Sequence, residues 1–209
     1  MELDPAELTQ PERYKLLIGG ITPRPIALVS TVAPSGVRNL APFSFFAGVG
    51  SNPMTLLFCP ANNDKGEEKD TLRNCKPRHE GGTGEFVVCV VPRALVAQAA
   101  LAAEPLPPEE SEFDLTGLTP APSVAVAPPR VAESPLAYEC VTEQVIRTNP
   151  GARGGGNIVI GRVVRVHAHD GVINDRLHID PAVLDTVGRM GGLTYCTTRE
   201  RFEQRMGRG

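Results

Sequence analysis

Runs and alternations of apolar residues predict a succession of short strands. Ile26-Ala27-Leu28-Val29-Ser30-Thr31-Val32 is rich in apolar and β-branched residues and reads as the first. Pro34-Ser35-Gly36 supplies turn chemistry, so the chain returns in a partner strand from Val37 towards Phe46. Residues 54–59 form a third strand, stopped by Pro60, and residues 85–91 a fourth. The last clear strands run over 138–146 and 158–170. In the second of these, Ile158, Ile160, Val164, Val166 and Ala168 share one face at a period of two, interrupted by Arg162.

Helices fall between the strands. Lys69-Asp70-Thr71-Leu72-Arg73-Asn74-Cys75 predicts the first turns of one, capped by Asp70 or a neighbour. Pro92 suits a first helical position, and residues 93–103 are rich in Ala and Leu. A short helix near 181–186 and a last one over 198–206 follow, the latter exposing Arg199, Arg201, Arg205 and Arg208 among Glu200 and Glu203. Residues 61–68 are polar and read as a loop. Residues 104–130 are Pro-rich and predict a surface wrap rather than an interdomain linker. Gly154-Gly155-Gly156 predicts a flexible tip. Many short strands with a few helices predict a mainly β chain, a barrel with helical embellishments.

Composition narrows the function classes. The 209 residues suit a single domain. A net charge of −3 lacks the basic footprint of a nucleic-acid binder. The 21 glycines and 20 prolines show no collagen period. None of the five cysteines forms a CxxC pair, which argues against a zinc ribbon or thioredoxin-type site, and Cys89 reads as a small buried hydrophobe. Reduced thiols, no evident signal peptide and no apolar run of membrane-spanning length predict a cytoplasmic protein off the membrane.

Several enzyme classes lack their motifs here. Gly48-Val49-Gly50 and Gly82-Thr83-Gly84 lack the third glycine of a dinucleotide fingerprint, and no Walker A or GxSxG pattern exists. His167 and His169 share a strand face but lack further zinc ligands, so no metal is expected. His178 has no triad partner at a telling spacing, and Glu67-Glu68 and Glu109-Glu110 read as solvated charges.

One order of motifs stands out. Thr22-Pro23-Arg24-Pro25-Ile26 leads into the strand ending at Ser30-Thr31. The paired strand carries Asn39-Leu40-Ala41-Pro42-Phe43-Ser44, and Lys69-Asp70-Thr71 opens a helix. Two strand edges with short polar groups can grip a flat heteroaromatic ring. A helix start with Lys69 and the Thr71 hydroxyl suits a phosphate. In this order the segments resemble the flavin reductase-like, FMN-binding split-barrel family, over roughly 14–195. Residues 85–88, Phe113-Asp114-Leu115-Thr116-Gly117-Leu118-Thr119, residues 129–135 and Val187-Gly188-Arg189-Met190-Gly191-Gly192 with Tyr195 support the likeness.

The resemblance implies a six-stranded antiparallel Greek-key split barrel that dimerises, with FMN near the subunit interface. It implies that Arg24, Pro25 and Ile26 border the flavin and that Ser30 and Thr31 bond its ring or ribityl chain. Asn39, Ala41, Pro42, Phe43 and Ser44 then face the ring. Lys69 and Thr71, with Arg24, hold the phosphate, and Arg189 and Tyr195 lie near the open flavin face. FMN is expected before FAD, with NADH or NADPH as electron donor and free flavin, oxygen or a partner monooxygenase as acceptor. The alternative is a non-catalytic FMN carrier, electron relay or sensor. Two departures bear on that choice and on the site. The strand over 161–170 lacks the Gly-Asp-His segment of many reductase components, and the 76–84 loop is longer than the family's turn.

Overall fold

The computed structural model describes residues 1–207. Arg208, read above as part of the exposed charged face, lies outside the described residues. The main sheet is antiparallel, in the order β2-β1-β5-β8-β9-β4-β3. Its strands are β1 (Ala27–Val32), β2 (Arg38–Phe43), β3 (Phe46–Ser51), β4 (Met54–Phe58), β5 (Glu85–Val90), β8 (Leu136–Arg147) and β9 (Asn157–Ala168). Two small ribbons pair β6 (Pro120–Ala121) with β7 (Arg130–Val131), and β10 (Val187–Arg189) with β11 (Tyr195–Thr197). The helices are α1 (Gln10–Gly20), α2 (Asp70–Cys75), α3 (Val96–Leu101), α4 (Glu112–Thr116) and α5 (Pro181–Leu184).

The two edges of the sheet, β2 and β3, are consecutive in the chain. Only Ser44 and Phe45 separate them, a step of at most about 11 Å. The sheet therefore curls until its edges lie side by side, yet no ladder joins them. This is a split barrel, mainly β with helices, as the sequence predicts. It has seven strands in place of the expected six. The returning strand predicted from Val37 to Phe46 breaks at Ser44-Phe45, and Phe46 leaves β1 to pair with Phe58 of β4.

The alternation of β1 divides two cores. Val29 faces the barrel interior with Phe43, Phe58, Phe86 and Val88. Phe58 sits 5.2 Å from Phe43 and 5.2 Å, edge-on, from Phe86. Such pairs add about 0.5–1.5 kcal/mol beyond the area they bury. Gly161 of β9 passes over this stack, and a Cβ there would come within 2.3 Å of Phe86 Cζ. Leu28 faces outward into a second core with Leu40, Val87, Cys89, Leu95, Ala99 and Phe113. Cys89 is buried here as expected, and burial pushes its thiol pKa up to about 12.

The Pro-rich stretch wraps the outer core, with Phe113, Leu118 and Val131 buried. It also covers the β2 edge, where Glu112 accepts the Leu40 N–H at 2.8 Å. Covering an edge removes a template for unwanted pairing. Three expectations fail. Gly155 is no flexible tip: its C=O accepts the Asn62 N–H at 2.9 Å, and a Cβ on it would sit 2.2 Å from Asn149 O. No helix forms over 198–206. Their two apolar residues, Phe202 and Met206, are both exposed, and so short a helix is not stable in water without packing. Pro92 precedes a 3-10 turn (Arg93–Leu95), and the helix itself starts only at Val96.

Candidate functional site

The open edge of the barrel is where the motif residues gather. Ile26, Pro42 and Ser44 form one wall of a cleft of about 460 Å3. Ala99, Ala100 and Ala103 form another, and their small side chains leave the space open. Arg189 and Tyr195, from β10 and β11, close a third side, with the guanidinium 4.4 Å from the Tyr195 ring centroid. Arg189 also donates to Gly192 O at 2.7 Å. Among the described residues no carboxylate lines this cleft.

Tyr14 of α1 lines the cleft and also a neighbouring one of about 650 Å3. Lys69, Phe45, Asn62, Arg13 and Arg153 border the second. Arg153 pairs with Asp64 at 2.9 Å, and Arg13 donates to Pro5 O and Leu8 O. Lys69 is exposed and has no protein partner among the described residues. The loop that carries it is fastened from below. Asn157 donates to Pro60 O and Asn62 Oδ1, both at 2.8 Å, and Asn62 donates to Ala152 O at 3.1 Å.

The other predicted residues lie elsewhere. Thr31 and Asn39, opposite each other on β1 and β2, form a buried polar cluster with α2. Asn39 donates to Thr71 Oγ1 at 3.0 Å and to Thr31 Oγ1 at 3.3 Å, and Asn74 donates to Thr31 Oγ1 at 3.1 Å. Thr71 is only 2% exposed, so its hydroxyl does not share a cleft with Lys69. Ala41 and Phe43 face the inner core. Ser30 is fully buried, and its Oγ has no hydrogen-bond partner among the described residues. Pro25 and Arg24 border an apolar cleft beyond Ile26. The Arg24 guanidinium is buried against main-chain carbonyls and Ser44, and burial lowers its pKa.

Sequence reasoning missed Tyr14. The signal was present: Thr9 and Glu12 form a capping box, the mark of a helix start, and that helix presents Tyr14. His167 of β9 and His169, just past its end, are both engaged. His167 Nε2 contacts Glu139 Oε1, and His169 Nε2 lies 3.0 Å from Ala132 O.

Residues 19–195 match the family described as flavin reductase like domain. The chain belongs to that family. An uncharacterized protein of Halalkalibacterium halodurans is 40% identical over 205 residues, 97% of this chain and 94% of that protein. The crystal structure of nitrilotriacetate monooxygenase component B from Bacillus cereus is 36% identical, covers 98% of both chains and superposes with a TM-score of 0.89. The 2-nitrobenzoate 2-nitroreductase of Pseudomonas fluorescens is 26% identical, covers 99% of this chain and 96% of that one, and gives a TM-score of 0.85.

The residues of this flavin reductase-like chain fit a flavin. A slot walled mainly by apolar side chains, with one arginine and the hydroxyls of Tyr14, Ser44 and Tyr195 at its borders, suits a flat ring with polar edges. A lysine without a protein partner, one cleft further on, suits an anionic tail. No helix of the described residues is long and apolar enough to cross a membrane.

Proposed function

We propose that the protein is an FMN-binding oxidoreductase of the flavin reductase type, a single domain over residues 1–209. It takes electrons from NADH or NADPH and passes them to free flavin, oxygen or a partner monooxygenase. A homodimer working in the cytoplasm belongs to the same reading. The observation that carries it is the carboxylate-free cleft between Ile26, Pro42, Ser44 and the Arg189–Tyr195 pair, joined through Tyr14 to Lys69. The family match over 19–195 and the likeness to a monooxygenase component support it.

When bound, FMN supplies the hydride-accepting ring, so the chain needs no general acid or base of its own. Ile26, Pro42 and Tyr195 would enclose the ring and keep water from it, while Pro25 lines the adjoining cleft on the other side of Ile26. Ser44 Oγ accepts the Arg24 Nε–H at 3.2 Å, which leaves its own proton to donate to the ring edge. Arg189 would hold positive charge beside the ring cleft, available to offset the negative charge that a flavin gains on reduction. Lys69 binds the phosphate. Thr31, Asn39 and Thr71 hold the strand pair and α2 together behind the site, with Ser30, Ala41 and Phe43 in the packed wall.

Mass analysis of the ligand that co-purifies, followed by FMN titration, tests the binding. Protein that is colourless and takes up no FMN defeats the proposal. Consumption of NADH and NADPH, with and without added FMN, then tests turnover. A second reading, a non-catalytic FMN carrier, relay or sensor, is favoured by the stretch over 161–170, which lacks Gly-Asp-His and whose His167 and His169 are already engaged. FMN binding without consumption of either nicotinamide selects that second reading.

A further inference from the structure

Arg24 reads from the sequence as a border of the flavin and a holder of its phosphate. Its side chain is spent differently. The residue is 4% exposed, and four of its five N–H donors have protein acceptors. Nη1 donates to Ile18 O at 2.5 Å and Ile21 O at 2.8 Å, the carbonyls left open where α1 ends. Nε donates to Ser44 Oγ at 3.2 Å, in the two-residue link between the barrel's edges. Nη2 donates to Met190 O at 3.0 Å, just past β10. The guanidinium also lies 5.9 Å from the Phe45 ring centroid.

Those three segments carry the walls of the ring cleft. The helix α1 presents Tyr14, the link presents Ser44, and the Met190 segment joins Arg189 to Tyr195. No sheet ladder connects β2 to β3, so the split itself supplies no register between them. We infer that Arg24 is a positioning residue, which assembles the ring cleft at the split by clamping α1, Ser44 and Met190 together, and that it is not a phosphate ligand. The planar fork matters. A lysine keeps the charge but offers one nitrogen, which cannot span three separate acceptor groups. The ligand is taken from the reading above, whereas the clamp rests on the geometry alone.

The test compares Arg24→Met and Arg24→Lys with the parent protein. Amide hydrogen exchange is followed in ligand-free protein over residues 14–21 and 189–195, and FMN and riboflavin affinities are measured side by side. Exchange should rise in both segments in both variants. FMN and riboflavin should weaken by the same factor, about 10- to 100-fold, the worth of hydrogen bonds to a charged group. Lysine should not rescue. Should Arg24→Met fail to fold, Arg24→Lys carries both readouts. Loss confined to FMN would make Arg24 a phosphate ligand and overturn the inference. Full rescue by lysine, or unchanged exchange in both segments, would also overturn it. A parent protein that binds no flavin, with exchange still rising in the variants, removes the functional reading and leaves the clamp standing.

Discussion

Glu139 shows how one buried residue can govern a loop. It is fully buried on β8, and it accepts the N–H groups of Val124, Ala125 and Val126 at 2.8, 2.6 and 3.2 Å, besides meeting His167. Burial alone would raise its pKa. The Val124 and Ala125 N–H groups and His167 outweigh that and hold it below the usual carboxylate range. The unfolded chain therefore binds this proton more readily than the folded one. The stabilisation is complete above the unfolded value, about 4.3, and fades as pH falls through the folded value. Glu139→Gln should cost about 2–3 kcal/mol at pH 7, and the gap to the parent should narrow below about pH 4. Urea unfolding at both pH values checks this, and an equal gap at both refutes it. Lys69 makes a contrasting case, since it is exposed and spends nothing on the fold. Lys69→Ala should weaken FMN about 10-fold and leave riboflavin unchanged, measured by calorimetric titration. Equal losses would remove the phosphate assignment. The sequence could name Lys69 and Thr71 together, but it could not say that α2 turns one outward and the other onto Asn39.

At the scale of elements, legibility follows burial. The strands β1, β4, β5, β8 and β9 were readable to within about two residues because their apolar content is continuous or alternates. The helix α1 buries no side chain: Tyr14, Leu17 and Ile18 recur at helical spacing, but Leu16 and the closing glycines blur that stripe, and the cap is its clearer mark. The last segment misled for the opposite reason. Its interleaved Arg and Glu suggest an exposed helix face, but there is no buried face behind it. Glycines were ambiguous in the same way. Gly155 and Gly161 look like places of freedom in the sequence, yet both are places where nothing larger fits. Gly161→Ala should therefore be costly despite alanine's mild chemistry. Phe86 is fully buried and stacked on Phe58, so it cannot swing aside. The expected loss is about 1–3 kcal/mol in equilibrium denaturation, the usual cost of overpacking. A change below about 0.5 kcal/mol, the range typical of surface substitutions, would mean that β9 can shift over the ring.

At the scale of the molecule, the site lies where the barrel fails to close. Residues 14, 24, 44, 69, 99, 189 and 195 border the two joined clefts or the clamp beside them, and they come from six separate stretches of chain. No spacing rule links those stretches. The order of motifs pointed to the family, but the meeting place depends on how far the sheet curls, and that is a property of all seven strands. A ligand seated there touches elements that otherwise have little in common, α1 above all. Filling the site should then make α1 share in global stability instead of opening on its own. At free FMN one hundred times its dissociation constant, binding adds about 2.7 kcal/mol, a rise of roughly 5–10 °C in melting temperature for a chain of this length. Amide exchange in residues 10–20 should slow in step with that rise. Exchange that stays fast in α1 while the melting point climbs would place the flavin away from Tyr14, and with it away from the split.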